Sequence, residues 1–460
     1  MAQVGIRNLK GKFFNPERKA VWGWALYDWA NSAFATIVIA GFFPLFFKTF
    51  WSAGVDAPLS TARLGFGNSL ASLIVALAAP VLGAISDRGQ SKKKFLAFFA
   101  YLGVVITALL FWVPEGNWFI ALFLFVLAIV GFSGANVFYD SLLTSVAEEE
   151  AVDYVSGFGY AMGYLGGGLI FLVNVAMIRY PGFFCLSSPG QAVRISFLSA
   201  ALWWGFFTVF ILMWVSEPKG FHTQSKGVVS GGISQFMITL KKIQRMKTLI
   251  IFLLAYWLYI DGVDTVIRMA VDYGISIGLS STHLITALLI TQFVGFPSAL
   301  VFGKLGSRWS VKGSIFVAIG AYAIVTICGV LMTSVKEFYI LAVTVGLFQG
   351  GIQALSRSYY SRLIPKNLEG EFFGFYNMLG KFAAIFGPAL VGGIGLGVRW
   401  FFMPQSPTQE QFQAYSQLAS RIGIGSLLIL FIAGGVLLYF VDEKQGKREA
   451  EDLKKHITGP

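Results

Sequence analysis

The feature that most constrains this chain is a series of twelve apolar blocks separated by polar segments that are mostly short. The blocks cover residues 21–47, 65–86, 95–113, 118–143, 155–178, 194–215, 248–270, 283–303, 313–333, 337–358, 371–397 and 421–441. A helix of about 20 residues crosses the ~30 Å hydrocarbon core of a bilayer. Hydrophobic residues make up 56% of the chain and charged residues 13%, which excludes an ordinary soluble domain. The pattern predicts an all-α membrane protein with twelve transmembrane helices.

About 30 polar residues follow the sixth block and divide the twelve spans into two sets of six. The predicted organisation is a tail over residues 1–20, a six-helix bundle over 21–215, a linker over 216–247, a second bundle over 248–441 and a tail over 442–460. The linker ends in a basic amphipathic stretch, SQFMITLKKIQRMK, whose apolar residues share one helical face. It predicts a helix lying on the membrane surface. A flexible tether is the alternative.

The distribution of Lys and Arg predicts the orientation of the chain. With both termini on one side, 26 of the 35 basic residues lie on that side and seven lie on the other. Basic loops face the cytoplasm, so both termini are expected there. Because topology accounts for the net charge of +12, no nucleic-acid partner is expected. The expected partners are the lipid bilayer and a small-molecule solute, and the expected state is a monomer in a bacterial plasma (inner) membrane, or in a vacuolar membrane if the chain is eukaryotic.

The two halves of the chain repeat one another in three places. Trp24-x3-Asp28-x2-Asn31-Ser32 matches Trp257-x3-Asp261-x2-Asp264-Thr265, residues 83–92 match 303–312, and the glycines of span 5 match those of span 11 at an offset of 217. Each match joins span n to span n+6 in the same order. The repeat predicts two pseudo-symmetric six-helix bundles, the build of a secondary transporter whose halves move about a central site.

The loop after span 2 narrows the fold class. Gly83, Asp87, Arg88 and Lys92 form a pattern that resembles the loop signature of the major facilitator superfamily. The resemblance implies that the glycine permits close helix approach and that the acid and the arginine latch neighbouring helices on the cytoplasmic side. In the second copy Ser307 replaces the acid, which predicts a weaker latch there.

Four further segments resemble one family within that superfamily. They are LYDWANSAFATIVIAGFFP, YWLYIDGVDT, FQGGIQALSRSYYSRLIP and EFFGFYNMLGKFAAIFGP. They are similar to the autophagy-linked vacuolar amino-acid effluxers of fungi and their bacterial relatives. The resemblance implies efflux of amino acids or related small solutes by alternating access. Export of drugs or other organic molecules is the alternative within transport, and a non-transporting membrane scaffold or receptor is the alternative outside it. We find no nucleophile–base pair or phosphate loop in the sequence, so an enzyme is not expected.

Polar residues inside the spans predict a solute or proton pathway. The superfamily resemblance implies that spans 1, 4, 7 and 10 line the central cavity, and polar groups facing lipid would be costly. The candidates are Asp28, Asn31, Asn136, Asp261, Asp264, Arg268, Gln349, Gln353, Asn377 and Lys381. Asp264 and Arg268 are spaced to neutralise each other, which leaves Asp261 as the freer acid.

Two hypotheses follow from these charges. Asp28 or Asp261 binds a coupled proton, with a structural salt bridge, to Lys381 for example, as the alternative. No other cofactor is expected. Asp140 and Arg357 occupy equivalent repeat positions near the cytoplasmic ends of spans 4 and 10, which predicts a gate pair. The alternative is that Arg357 and Lys381 bind the carboxylate of an amino-acid-like solute while an acid binds its ammonium group.

Overall fold

The chain folds into twelve long helices, described here from a computed structural model over residues 16–54, 57–89, 91–217, 230–276, 279–404 and 408–458. Span 1 begins as an α-helix, Pro16–Ala33, and continues through π-helical turns to Trp51. Spans 2 to 6 are Ala57–Gly89, Lys92–Leu109, Trp118–Ser141, Val152–Arg179 and Pro189–Trp214. Spans 7 to 11 are Lys247–Ser276, Ser281–Arg308, Val311–Leu331, Val335–Leu363 and Glu369–Phe402. Span 12 is Gln409–Gly425 followed by Leu427–Tyr439.

Within these described ranges, eleven helices are long and apolar enough to cross a membrane, and the apolar part of span 11, Phe386–Phe402, is shorter. The prediction of an all-α membrane protein is therefore confirmed. Span 12 begins about 12 residues earlier than its apolar block, because polar residues from Gln409 extend the helix with a capping box at Thr408.

The two six-helix halves meet most extensively along two pairs of helices, span 2 with span 11 and span 5 with span 8. Glycines permit both approaches. A Cβ on Gly374 would lie 2.7 Å from the backbone oxygen of Ala79, and a Cβ on Gly157 would lie 2.8 Å from that of Ala299. These two contacts occupy equivalent positions in the repeat, so the pseudo-symmetry of the sequence is also a symmetry of packing.

Ion pairs join the halves on the side of the molecule that carries both termini, the termini side. Lys92 Nζ lies 3.5 Å from Glu369 Oε2, and Arg362 pairs with Asp153. Toward the opposite end of span 11, a Cβ on Gly397 would meet nothing within 4 Å. The described contacts therefore close the termini side.

Two further helices cover the termini side. The linker helix, Ser230–Gln244, buries Ile243, and Met246 is buried in the short segment between this helix and span 7. Lys242 of the linker helix pairs with Glu371 at 3.2 Å. Met237 is exposed, whereas Ile243 is buried. The predicted apolar face is therefore divided, with part of it packed on protein and part of it exposed. Whether the exposed part rests on the membrane surface stays a prediction.

The C-terminal helix, Glu443–Thr458, contacts both halves. Its Glu449 accepts a hydrogen bond from the backbone N–H of Thr248 at 3.0 Å, which also caps the start of span 7. Its Lys447 lies 2.5 Å from Glu149, in the loop between spans 4 and 5. The hydrogen bond from Lys447 lowers the pKa of the Glu149 carboxyl below its ordinary value.

We expect Gly374→Leu to lower the thermal unfolding midpoint of the purified protein. Its side chain would overlap the backbone of span 2, and overpacking of this kind costs about 1–3 kcal/mol. Gly397→Leu is the matched control on the same helix, since its Cβ has open space. Equal midpoints for the two variants would contradict the close contact of spans 2 and 11.

We expect Glu149→Gln to destabilise the protein slightly at neutral pH, by under about 1 kcal/mol, because both partners are partly exposed. A carboxyl whose pKa is lowered in the folded state stabilises the fold above its ordinary pKa and loses that effect as pH falls through the lowered value. The difference between wild type and variant should therefore begin to shrink as pH falls below the ordinary pKa of 4.5 and should disappear only below the lowered pKa of the folded state. Asp452→Asn, in an exposed pair within the same helix, serves as the control. A difference that persists in acid would argue against the ion pair.

Candidate functional site

The termini-side half of the bundle contains a buried charge cluster built from both halves. Asp28 comes from span 1, Asp140 from span 4 and Arg357 from span 10. The guanidinium lies 3.1 Å from Asp140 Oδ1 and 3.7 Å from Asp28 Oδ2. Asp140 and Arg357, predicted as a pair from their equivalent repeat positions, are thus in direct contact.

Arg357 is the centre of this charge cluster. Its side chain is 2% exposed. Besides the ion pair, its Nε donates to the hydroxyl of Ser156 at 3.0 Å, and its Nη2 donates to the backbone oxygen of Ser156 at 3.1 Å. The guanidinium carbon lies 4.4 Å from the ring centre of Tyr160 and 4.8 Å from that of Trp24. The aromatic faces attract a cation, and the forked hydrogen-bond pattern suits arginine and not lysine.

Neutral donors hold the two carboxylates in place. The hydroxyl of Tyr139 donates to Asp28 Oδ2 at 2.6 Å, and the side-chain amide of Asn377 donates to Asp140 Oδ2 at 3.0 Å. Asn377 comes from span 11, so Asp140 is bonded to two helices of the other half. Two acids share one guanidinium, and these hydrogen bonds offset part of the cost of burying the second acid.

The charge cluster makes the closed arrangement strongly dependent on each of its members. Removing one partner of a buried ion pair typically costs 3–5 kcal/mol, roughly, because an uncompensated charge remains. If the termini side opened, the same partners would separate and water would solvate each of them. The arrangement can therefore hold two helical halves together in one state and release them in another.

Amide and hydroxyl groups continue the polar path from the charge cluster toward the middle of the bundle. Asn31 of span 1 donates to the side-chain oxygen of Asn136 of span 4 at 2.8 Å. Gln292 of span 8 donates to the hydroxyl of Thr36 at 3.1 Å and so joins the halves at a second depth. These neutral groups can bond a polar solute without adding charge.

The second predicted acid, Asp261, lies elsewhere. It is buried against span 11, where its Oδ1 accepts the backbone N–H of Gly387 at 2.9 Å. Arg268 is exposed, whereas Asp264, Gln349 and Gln353 are half-buried. The structure therefore gives the repeat-related Asp28 and Asp261 different surroundings.

The loop signature is described in part. A Cβ on Gly83 would lie 2.0 Å from the backbone oxygen of Gly370, so the glycine does permit the close approach of spans 2 and 11. Lys92 pairs with Glu369 of the other half. The side chains of Asp87, Arg88 and Lys381, all named as candidates, lie outside the described residues.

Several residues of the site were not predicted. Ser156 and Tyr160 are one helical turn apart on span 5 and both contact Arg357. Tyr160 is 217 residues before Asn377, the offset that relates the glycines of spans 5 and 11, so the repeat contained a signal for it. Thr36 and Gln292 carried no comparable pattern.

Comparisons with known proteins agree with this architecture. Residues 60–395 match the family model described as vacuole effluxer Atg22 like. The MFS-type transporter YxiO of Bacillus subtilis is 39% identical over 92% of this chain and 94% of its own length. Autophagy-related protein 22 of Yarrowia lipolytica is 23% identical over 84% of this chain and 76% of its own.

Solved structures show the same fold at low sequence identity. The human organic anion transporter MFSD10 superposes with a TM-score of 0.68 at 14% identity, over 92% of this chain and all of that one. The proton:xylose symporter XylE gives 0.65 at 15% identity, over 95% of this chain and 98% of that one. The chain belongs to the Atg22-like family and is a multi-pass transporter of the major facilitator superfamily.

Proposed function

We propose that this transporter exports amino acids from the cytoplasm by alternating access. The observation that supports this most directly is the charge cluster, in which Arg357 of one half bonds Asp140 and approaches Asp28 of the other. An amino acid carries one positive and one negative group, the same two kinds of charge that pair with each other in the charge cluster. Its carboxylate matches the guanidinium, and its ammonium group matches the acids.

The exchange of partners gives a mechanism. When the termini side opens, Arg357 separates from Asp140, and both groups face water and solute. A zwitterion that bonds to Arg357 and to an acid replaces contacts that the halves made with each other. The halves then close behind the solute, and the internal ion pair re-forms when the solute leaves on the other side. Asp140 and Arg357 thus act as the gate on the termini side.

The distribution of basic residues supports an orientation of the chain in the membrane. The excess of Lys and Arg on the termini side supports a cytoplasmic location for that side. The similarity of this chain to a bacterial protein supports a location in the bacterial plasma (inner) membrane. We propose that a monomer performs the whole cycle, since the contacts that close the site come from one chain.

The gate predicts non-additive effects of substitution. Arg357→Gln leaves two buried acids without their cation, so its unfolding midpoint should fall further than that of Asp140→Asn, in which Arg357 keeps Asp28. The double variant should be more stable than the sum of the single losses predicts, because groups in contact couple by about 0.5–3 kcal/mol. Strict additivity in thermal unfolding would contradict the pair.

Solute class is tested by thermal stabilisation of the purified protein with each of the twenty amino acids. A ligand at 100 times its Kd stabilises the bound state by about 2.7 kcal/mol. We expect a midpoint shift for at least one amino acid, and loss of that shift in Arg357→Gln. Shifts with lipophilic organic compounds and none with amino acids would instead support the alternative, a drug or organic-molecule exporter.

A further inference from the structure

Asp261 has one satisfied and one unsatisfied oxygen. The residue is 1% exposed. Its Oδ1 accepts hydrogen bonds from the backbone N–H of Gly387 and, at 3.3 Å, from the hydroxyl of Thr265. Its Oδ2 is buried and has no hydrogen-bond partner among the described residues. An unpartnered buried polar atom is uncommon and calls for an explanation.

The contact with Gly387 is shaped by the sequence of span 11. A Cβ on Gly387 would lie 2.6 Å from Asp261 Oδ1 and 2.0 Å from Thr265 Oγ1, so only glycine admits the acid to the backbone. Pro388 follows inside the same helix. Proline lacks an N–H and bends or weakens a helix at that turn. Asp261 therefore bonds span 11 where the helix is most readily deformed.

The charged groups around Asp261 differ from those around Asp28. Asp28 faces the buried guanidinium of Arg357. Asp264 and the exposed Arg268 share the helix of Asp261, one and two turns further on. Span 11 adds Lys381, whose side chain lies outside the described residues, and the facing part of span 12, Leu427–Leu438, contains no ionisable residue.

We propose that Asp261 is the proton-binding site that couples transport to a proton gradient, a role that rests on the proposed transport function. The proton is held on Oδ2, as a covalent O–H, while spans 7 and 11 are packed as described. Movement of span 11 at Gly387–Pro388 during the cycle exposes the carboxyl to water. The proton then leaves to the water that reaches the carboxyl. Thr265 and Gly387 position the other oxygen while the two spans are packed in this way.

The proton is tested without any solute by pH-difference infrared spectroscopy on the purified full-length protein. We expect a carbonyl-stretch band of a buried protonated carboxyl, shifted by deuterium exchange, that is lost in Asp261→Asn. Glu410→Gln, which removes an exposed acid of span 12, should keep the band. If Asp261→Asn leaves every protonated-carboxyl band in place, Asp261 holds no proton and the proposal is wrong.

Coupling is tested in proteoliposomes with a radiolabelled mixture of the twenty amino acids. We expect Asp261→Asn to keep solute counterflow, which needs no gradient, and to lose the stimulation that an imposed pH gradient gives the wild type. Retained stimulation would overturn the coupling role. Absence of counterflow in the wild type would instead count against the amino-acid function, while the infrared result still decides whether Asp261 binds a proton.

A salt bridge between Asp261 and Lys381 makes a different prediction. In that case Lys381→Met would leave an unpaired buried acid, and the double variant Asp261→Asn/Lys381→Met would recover most of the thermal stability lost in either single variant. Under the proton proposal Asp261→Asn alone retains stability close to wild type, because asparagine has the shape and neutrality of the protonated acid. Marked destabilisation with recovery in the double variant would overturn the proposal.

Discussion

The structure depends on one buried guanidinium. Arg357 bonds acids and backbone that belong to the other half of the molecule, in a setting from which water is nearly excluded. Buried ion pairs are weak evidence for overall stability, since desolvation offsets much of their attraction. Their stronger effect is on which arrangement of the halves is allowed, because an opened interface must solvate every group that the closed one pairs. The charge cluster is in this sense a conformational constraint.

The internal repeat explains how such a charge cluster arises. Asp140 and Arg357 occupy equivalent positions, 217 residues apart, and the pseudo-two-fold relation of the halves brings them together. Tyr160 and Asn377 are related by the same offset, and each contacts the charged residue of the opposite half. Because the two equivalent sites carry opposite charges, the contact between them is an ion pair that can be broken. Asp28 and Asp261 diverged further, since one faces a cation and the other faces a helix backbone.

The sequence predicted the spanning helices and the pairing of Asp140 with Arg357, for physical reasons. Apolar blocks of about 20 residues have few alternatives to spanning helices, and intramembrane charges require partners on facing helices. Pairing of Asp140 with Arg357 followed from the repeat. The sequence could not show the bond between Asp261 and the backbone of Gly387, because no side-chain pattern marks a backbone donor. Ser156 contributes a hydroxyl and a carbonyl that are equally invisible in a pattern. In the linker segment, Ile243 and Met246 are packed on protein. Hydrophobicity alone does not distinguish packing on protein from packing on lipid.

The central claim is that Arg357 keeps the termini side closed. It is tested most directly by the distance between spin labels on two exposed loop residues, Glu150 in the first half and Lys366 in the second. In lipid nanodiscs the wild type should give mainly a short distance, and Arg357→Gln should shift the population to a longer one without any solute. The conservative variant Arg357→Lys should be intermediate, since lysine keeps the charge and loses the fork. Identical distance distributions in wild type and Arg357→Gln would contradict the account.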